Sequence, residues 1–199
     1  LRPLLDRLTV PVVPGFTGRA PDGSTTTLGR GGSDLTATLL GRALGARQVV
    51  LWKDVPGILT ADPRLVPDAR LIPELHQREA AEVAHYGAKV LHPRALIPIA
   101  GTRISLVVRS FVDPDRPGTE ISGRHVLRGY PVKALAVLPT QAVITVAGKG
   151  MVGVHGIAAR TFGAVDAERL SVSTIFQGSS ESSIGFTVPA EEADRVDER

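Results

Sequence analysis

Apolar residues occur along this chain in short runs or at helical spacing, and turns rich in glycine and proline separate them. The short runs predict buried strands at residues 8–16, 48–52, 104–108, 132–137, 142–147, 171–176 and 183–188. The helical spacing predicts helices at residues 35–44, 79–86 and 157–170, with a further short helix near Glu191.

The order of these elements differs between the two parts of the chain. Strand, loop, helix and strand come first, which is typical of a parallel sheet covered by helices. After the breaker-rich residues 123–131 the order is strand, helix, strand and strand, as in an α+β unit of the ferredoxin-like type. We therefore predict an α/β domain at 1–122, a linker at 123–131 and an α+β domain at 132–199. A start in mid-element and the lack of a clear closing strand indicate a fragment.

Composition narrows the class of protein. The 199 residues are 43% hydrophobic and 22% charged, which is a globular composition. No apolar run reaches the roughly 18 residues of a membrane span, and no signal peptide is recognised, so no membrane partner is expected. The absence of cysteine excludes disulfides and suits a cytoplasmic protein. Net charge is +3, but the basic residues are scattered, so nucleic-acid binding is not expected.

Residues 25–34, Thr-Thr-Thr-Leu-Gly-Arg-Gly-Gly-Ser-Asp, follow an apolar run and precede a helical pattern. The three glycines allow a tight turn and a close approach to a ligand. Ser33 or Asp34 is expected to cap the helix, so that its free amides face the same pocket. Arg30 offers a planar fork that fits a carboxylate or a phosphate. The stretch predicts an anion-binding loop; an ordinary glycine-rich turn is the alternative.

Charged residues follow the predicted strand 48–52, at the sheet edge where ligands bind in α/β folds. Lys53, Asp54, Asp62 and Arg64 together are typical of a nucleotide-phosphate or Mg²⁺ site. A solvated charged loop is the alternative. Lys89, near a predicted helix start, is a second candidate for a phosphate, with a surface lysine as the alternative.

The string Gly-Lys-Gly-Met-Val-Gly at 148–153 matches the dinucleotide-binding pattern Gly-x-Gly-x-x-Gly. Such a site needs an acidic residue at the end of the next strand, near Phe176 and Gln177, and neither is acidic. We interpret the string as an effector-binding or packing turn. The five histidines have no metal-ligand spacing, and no metal site made by protein ligands is expected.

Four segments in order, 25–34, 52–64, 87–93 and 117–119, resemble those of the aspartate kinase family within the amino acid kinase superfamily. The resemblance covers about residues 10–122, and residues 132–189 resemble the first ACT regulatory domain of that family. Segments 148–160 and 177–184 are most similar to those of bifunctional aspartate kinase–homoserine dehydrogenases. The implied fold is the C-terminal part of a carbamate-kinase-like αβα sandwich followed by a ferredoxin-like ACT domain.

The resemblance implies that Mg²⁺ and ATP are used to phosphorylate the side-chain carboxylate of L-aspartate, the first step towards lysine, threonine and methionine. A carboxylate is already ionised at neutral pH, so this reaction needs positioning and cations rather than a general base. Feedback by an amino acid bound at ACT domains is also implied, with threonine favoured over lysine, as is a homodimer or larger assembly formed through those domains.

The resemblance also implies roles for individual residues. Asp34 would be catalytic, orienting the reacting groups and the metal. The other implied residues fall into three groups: Thr27, Arg30 and Ser33 for L-aspartate; Lys53, Asp54, Leu59, Arg64 and Lys89 for ATP; and Met151, Val152, Gln177, Ser180 and Glu181 for the effector.

The sequence also departs from the family pattern. The Lys-x-Gly-Gly segment, whose lysine contacts the transferred phosphate, is absent, while Lys53 and Leu59 stand where many members have threonine and tyrosine. We therefore expect this chain alone to be weakly active or inactive. A non-catalytic ACT module that binds an amino acid is the first alternative. The second is a kinase for acetylglutamate, uridylate or carbamate.

Overall fold

The computed structural model describes residues 2–6, 9–86, 90–124, 131–148, 150–178 and 182–197. Its contacts divide the chain into two compact units, Leu1–Val137 and Leu138–Arg199. The sequence analysis assigned residues 132–137 to the second domain, whereas these contacts group them with the first unit.

The first unit alternates short strands with helices. Its elements are α1 (Arg2–Leu5), β1 (Thr17–Arg19), β2 (Thr25–Thr27), α2 (Gly32–Leu44), β3 (Gln48–Lys53), β4 (Glu74–His76), α3 (Gln77–His85), a 3₁₀ helix (Pro93–Ile99), β5 (Ser105–Ser110) and β6 (Thr119–Ser122). The predicted helices at 35–44 and 79–86 and the predicted strands at 48–52 and 104–108 are therefore present, with shifted ends.

A mixed sheet in the order β3-β5-β6-β4 forms the centre of the first unit. Strands β3 and β5 are parallel, as the sequence predicts, with Val50 opposite Val107. Strand β6 runs antiparallel to β5 and parallel to β4. A connection of only eight residues, 111–118, joins β5 to β6, and so short a connection favours an antiparallel return. Strands β1 and β2 form a separate antiparallel hairpin.

The core of the first unit lies around β5. This strand is buried along most of its length, as expected for a central strand with both faces covered. Strand β5 contributes Leu106 and Val108 to this core. The neighbouring strands β4 and β6, helix α3, the 3₁₀ helix and the segment after β3 contribute further buried side chains, which include Ile58, Leu75, Ala80, Ala95, Ile99 and Ile121. The carboxyl end of β3 thus lies beside the packed core.

Two predicted strands are absent from the described residues of the first unit. Residues 9–16 form no strand, and Val10 and Val12 are 89% and 94% exposed. Pro11 and Pro14 remove N–H donors that a central strand would need. Residues 132–137 are also not a strand; their contact with the rest of the unit includes a hydrogen bond from the Leu135 N–H to the Thr60 carbonyl, 2.8 Å.

The expected side-chain cap of α2 is also wrong. Gly31 occupies the N-cap position with φ of 70°, and no side chain caps the helix there. Ser33 and Asp34 lie inside the first turn instead. Asp34 still favours the helix, because a negative charge in the first turn interacts well with the helix dipole. The C-terminal end of α2, at Leu44, agrees with the predicted helix 35–44, and Gly45 occupies the C-cap position with φ of 68°.

The second unit is a small antiparallel sheet with one long helix. Its elements are β7 (Gln141–Ala147), α4 (Ile157–Ala167), β8 (Thr174–Gln177), β9 (Ser183–Pro189), a 3₁₀ helix (Ala190–Glu192) and α5 (Asp194–Asp197). The strand order is β7-β9-β8. Helix α4 packs on the sheet through Phe162 and Val165, which meet Phe186 and Val188. The predicted order of strand, helix, strand and strand is observed, although β8 begins three residues later than predicted.

A buried hydroxyl ties three segments of the first unit together. Thr119, at the start of β6, is fully buried. Its Oγ1 accepts a hydrogen bond from the Ile58 N–H at 2.8 Å and donates one to the Ile72 carbonyl at 2.7 Å. The segment after β3 is therefore fixed to β6 by a side chain rather than by a strand ladder.

Replacing Thr119 by valine tests this arrangement. Thr119→Val keeps the shape but leaves a buried N–H and a buried carbonyl unpaired, so we expect the free energy of unfolding to fall by about 2 kcal/mol. Thr119→Ser keeps the hydroxyl and loses one methyl, which costs about 1 kcal/mol. Urea denaturation of both variants makes the comparison. A valine variant as stable as the serine variant would contradict the assigned role of the hydroxyl.

Candidate functional site

The glycine-rich loop, residues 28–31, joins β2 to α2 and lies directly against a second segment of the chain. A Cβ atom on Gly31 would overlap the Cβ and Cγ atoms of His92. The side chain of His92 thus occupies the space that any residue other than glycine would need. This close approach, together with the positive φ of Gly31, explains why glycine is required here.

Arg94 also links the glycine-rich loop to the segment that contains His92. Its Nη1 donates a hydrogen bond to the Leu28 carbonyl at 2.8 Å. The Nδ1 of His92 accepts from the Arg94 N–H at 3.3 Å and so caps the 3₁₀ helix. Two segments that were selected separately from the sequence, 25–34 and 87–93, therefore meet in the fold at His92, and Arg94, directly after the second segment, adds a hydrogen bond.

The predicted aspartate-binding residues lie in and around this loop. Thr27, Arg30 and Ser33 are all exposed, while Asp34 is half-buried. Within the described part of the chain, the guanidinium of Arg30 makes no hydrogen bond or ion pair. Its fork is thus open to an anion from solvent.

An ion pair joins the start of α2 to the end of β3. The Nζ of Lys53 donates to both carboxylate oxygens of Asp34, at 2.8 and 2.9 Å. The side chains are 26% and 15% exposed, so the pair is partly shielded from water. Because β3 points its carboxyl end at the first turn of α2, the two charges meet where the glycine-rich loop ends.

Lys53 also lines a cavity of about 660 Å³ beside β3, which we call the larger cavity. Four predicted nucleotide-binding residues, Lys53, Asp54, Leu59 and Arg64, are in its wall. The fifth, Lys89, lies outside the described residues. The remaining lining residues are Val55, Gly57, Ala61, Asp62, Pro63, Leu65, Val83, Val90, Leu135, Ala136 and Val137.

The wall of the larger cavity combines charged and apolar groups. At one part, Arg64 pairs with Asp62, with the Nε of Arg64 3.0 Å from a carboxylate oxygen. The hydrogen bond and the charge of Asp62 raise the pKa of the Arg64 guanidinium above its usual value. Arginine is protonated at all physiological pH values in any case, so Arg64 places a cation in this wall. The apolar lining includes Leu59, Val83 and Leu135. Such a combination suits a ligand with an apolar ring and an anionic tail.

Sequence reasoning missed part of this wall. Val83 belongs to α3, for which the sequence predicted a helix and no ligand contact. Leu135, Ala136 and Val137 were assigned to a strand of the other domain. No local signal distinguishes a short apolar run in a sheet from one that lines a cavity, so pattern alone could not have identified these residues.

A smaller cavity of about 220 Å³ lies in the second unit. Two predicted effector residues, Met151 and Gln177, line it, together with His155 and Ile157. Val152 is 59% exposed and is not part of the lining. Ser180 and Glu181 lie outside the described residues. No group of three or more metal-ligating side chains is found among the residues that the structure describes.

Comparison with known proteins identifies the protein family to which this chain belongs. Residues 1–110 match the model of the amino acid kinase family, and residues 144–198 match the model of an ACT domain. The first match spans more than half of the chain, which therefore belongs to the amino acid kinase family. The predicted fold class, an α/β amino acid kinase part followed by an ACT domain, is confirmed.

Within that family, the relatives found are aspartokinases. The bifunctional aspartokinase/homoserine dehydrogenase of Haemophilus influenzae is 43% identical over 185 residues, which are 93% of this chain and 23% of that protein. Aspartokinase 2, chloroplastic, of Arabidopsis thaliana is 39% identical over 180 residues, 90% of this chain and 33% of that protein. The predicted resemblance to aspartate kinases is confirmed.

A solved structure agrees with these relatives. E. coli aspartokinase III in complex with aspartate and ADP is 41% identical and superimposes with a TM-score of 0.74, covering 88% of this chain and 38% of that one. The same enzyme in complex with lysine and aspartate gives a TM-score of 0.69 at 42% identity. The present chain thus spans less than half the length of each of these proteins.

The contact between Gly31 and His92 can be tested with a matched pair of glycines. Gly31 and Gly45 have nearly the same φ, 70° and 68°, but a Cβ on Gly45 meets nothing within 4 Å. Gly45→Ala therefore measures the backbone cost alone, about 1 kcal/mol. Gly31→Ala adds the collision with His92, so we expect it to lower the free energy of unfolding by about 2 kcal/mol more. Equal losses in thermal denaturation would contradict the close contact.

Proposed function

We propose that this protein is an ATP-dependent aspartate kinase, which transfers the γ-phosphate of ATP to the side-chain carboxylate of L-aspartate and forms 4-phospho-L-aspartate. The observation that carries the proposal is the ion pair between Lys53 and Asp34, at 2.8 and 2.9 Å. Lys53 lines the larger cavity, while Asp34 lies in the first turn after the glycine-rich loop. One contact thus joins a cavity suited to a nucleotide with a loop suited to a carboxylate.

The larger cavity fits a Mg-nucleotide in size and in charge. Its volume, about 660 Å³, is typical of small-molecule sites. Lys53 and Arg64 supply cations for the phosphates, and Leu59 supplies apolar surface for the base. Asp54 offers an exposed carboxylate that would hold Mg²⁺ together with phosphate oxygens. The ADP bound to E. coli aspartokinase III supports this assignment.

The glycine-rich loop is the proposed site for L-aspartate. The exposed fork of Arg30 would bind one carboxylate of the substrate, with Thr27 and Ser33 as neutral hydrogen-bonding groups beside it. Substrate bound there would lie near Asp34 and Lys53. The complex of E. coli aspartokinase III with aspartate and ADP supports the binding of both an amino-acid substrate and a nucleotide.

The reaction requires two anions to approach each other. The attacking carboxylate of L-aspartate and the γ-phosphate are both negative, so the barrier is lowered mainly by positioning and by nearby cations. Lys53 would neutralise charge on the transferred phosphoryl group. Asp34 would hold the Lys53 ammonium in one orientation through its two hydrogen bonds. No side chain has to remove a proton from the nucleophile.

Turnover by these 199 residues alone is proposed to be slow. The chain has no Lys-x-Gly-Gly string, and that string supplies a lysine to the transferred phosphate in the family that it resembles. Lys53 is the cation present beside Asp34. We therefore propose that the chain binds its ligands more readily than it transfers phosphate between them.

The second unit is proposed to bind an amino-acid effector at the smaller cavity, with Met151 and Gln177 in contact and Val152, Ser180 and Glu181 nearby. We favour L-threonine over L-lysine. A volume of about 220 Å³ suits a small amino acid, and threonine is smaller than lysine. E. coli aspartokinase III is known in complex with lysine, which supports an amino-acid effector in general.

Location and assembly are part of the same proposal. We propose that the protein is cytoplasmic, because a chain without cysteine suits a reducing compartment. We also propose that it forms dimers or larger assemblies through its ACT domain. Plant relatives carry the description chloroplastic in their names, which applies to those proteins. None of the helices among the described residues has the length and apolar character needed to cross a membrane.

Calorimetric titration of the chain with Mg-ATP tests the nucleotide site. We expect binding, and we expect Lys53→Met to weaken it about tenfold, the loss of one charge-assisted hydrogen bond. The control is Arg116→Met, since Arg116 is an exposed cation that pairs with Asp113 and does not line the larger cavity.

Two other outcomes of these assays would favour the alternative functions. Binding of L-threonine without any binding of Mg-ATP would favour a regulatory module. Transfer to acetylglutamate, uridylate or carbamate but not to L-aspartate would favour a different amino acid kinase.

A further inference from the structure

The extended segment Lys133–Val137, which we call the strap, runs along the larger cavity. Three of its residues, Leu135, Ala136 and Val137, are in the cavity wall. The strap lies outside the four segments that carry the family resemblance, and it forms no strand. It therefore contributes apolar surface to the cavity from an unexpected part of the chain.

The strap is attached to the first unit at three consecutive residues. The Nζ of Lys133 lies 2.7 and 2.8 Å from the two carboxylate oxygens of Glu79 in the first turn of α3. Ala134 packs against the main core of the unit. The Leu135 N–H donates to the Thr60 carbonyl at 2.8 Å, in the segment that follows β3. These attachments hold the first part of the strap beside the cavity, and Ala136 and Val137 continue along the wall from there.

The Glu79 carboxylate also accepts a hydrogen bond from the N-cap residue of α3. One carboxylate oxygen accepts the His76 N–H at 2.8 Å and completes the capping box of α3. Burial raises the pKa of Glu79, but the hydrogen bonds from Lys133 and His76 and the nearby positive charge outweigh it, so the pKa lies below its usual value. The carboxylate is thus ionised at neutral pH and available to Lys133.

We propose that the strap is one wall of the nucleotide-base site, and that Lys133 and Glu79 are positioning residues that keep it there. This inference rests on the proposed nucleotide function of the larger cavity. Leu135, Ala136 and Val137 carry no charge, so they suit the flat apolar face of a base and not a phosphate. Lys53 and Arg64, which suit phosphates, belong to other segments of the same wall.

Two ligands separate the role of the strap from that of the rest of the cavity. Mg-ATP carries both base and phosphates, while Mg-tripolyphosphate carries the phosphates alone. We expect Leu135→Ala to weaken Mg-ATP binding about fivefold, because apolar contact with the base is lost. Binding of Mg-tripolyphosphate should stay within about twofold, because its contacts lie elsewhere.

A double-mutant cycle tests the attachment. Lys133→Met and Glu79→Gln should each weaken Mg-ATP binding about threefold, and the double variant should be no weaker than either, because both remove the same ion pair. The Glu79→Gln side chain keeps an oxygen for the helix cap, and Lys133→Arg should restore most of the affinity. Asp113→Asn is the matched control, since it removes an exposed ion pair with Arg116 outside the cavity.

The outcomes distinguish the inference from the function on which it rests. If the unaltered chain binds Mg-ATP and the variants bind it equally well, the strap is not part of the base site. The inference also fails if Mg-ATP and Mg-tripolyphosphate weaken in parallel, because the change would then affect the whole cavity. If the unaltered chain binds neither ligand, the proposed nucleotide function is wrong, and the inference fails with it.

Discussion

The ion pair between Lys53 and Asp34 is the contact on which the candidate site depends. Each residue comes from a different element, Lys53 from the end of β3 and Asp34 from the first turn of α2. Both are mostly buried, and removing one partner would leave the other charge poorly solvated. The pair thus links the larger cavity to the glycine-rich loop, which are the proposed sites of the nucleotide and of L-aspartate.

Tight packing keeps that geometry in place on either side. The glycine-rich loop lies against His92, close enough that position 31 admits only glycine, and Arg94 bonds the Leu28 carbonyl. On the cavity side, the buried hydroxyl of Thr119 holds Ile58 and thereby the segment that contains Asp54 and Leu59. His92, Arg94 and Thr119 are not among the residues proposed to bind a ligand. Close-packed protein interiors transmit small shifts. Substitution of His92, Arg94 or Thr119 should therefore change the geometry of the candidate site.

Much of this arrangement could be predicted from sequence, because the relevant signals are local. The apolar run 48–52 becomes a strand parallel to β5, and the charges that follow it line the larger cavity. Signals that depend on a distant partner were missed or misinterpreted. The cap of α2 is Gly31 because of His92, sixty-one positions later in the numbering. Residues 132–137 look like a strand, but their partners are Glu79 and Thr60 rather than another strand.

The most direct test of the account is whether the two proposed sites are coupled through Lys53. Calorimetry would measure the affinity of the chain for L-aspartate with and without a saturating, non-hydrolysable Mg-ATP analogue. Ligands on either side of one ion pair should change each other's affinity, here by about threefold or more, and Lys53→Met should remove the difference. Equal affinities for L-aspartate in both conditions would contradict the claim that Lys53 and Asp34 join two halves of one site.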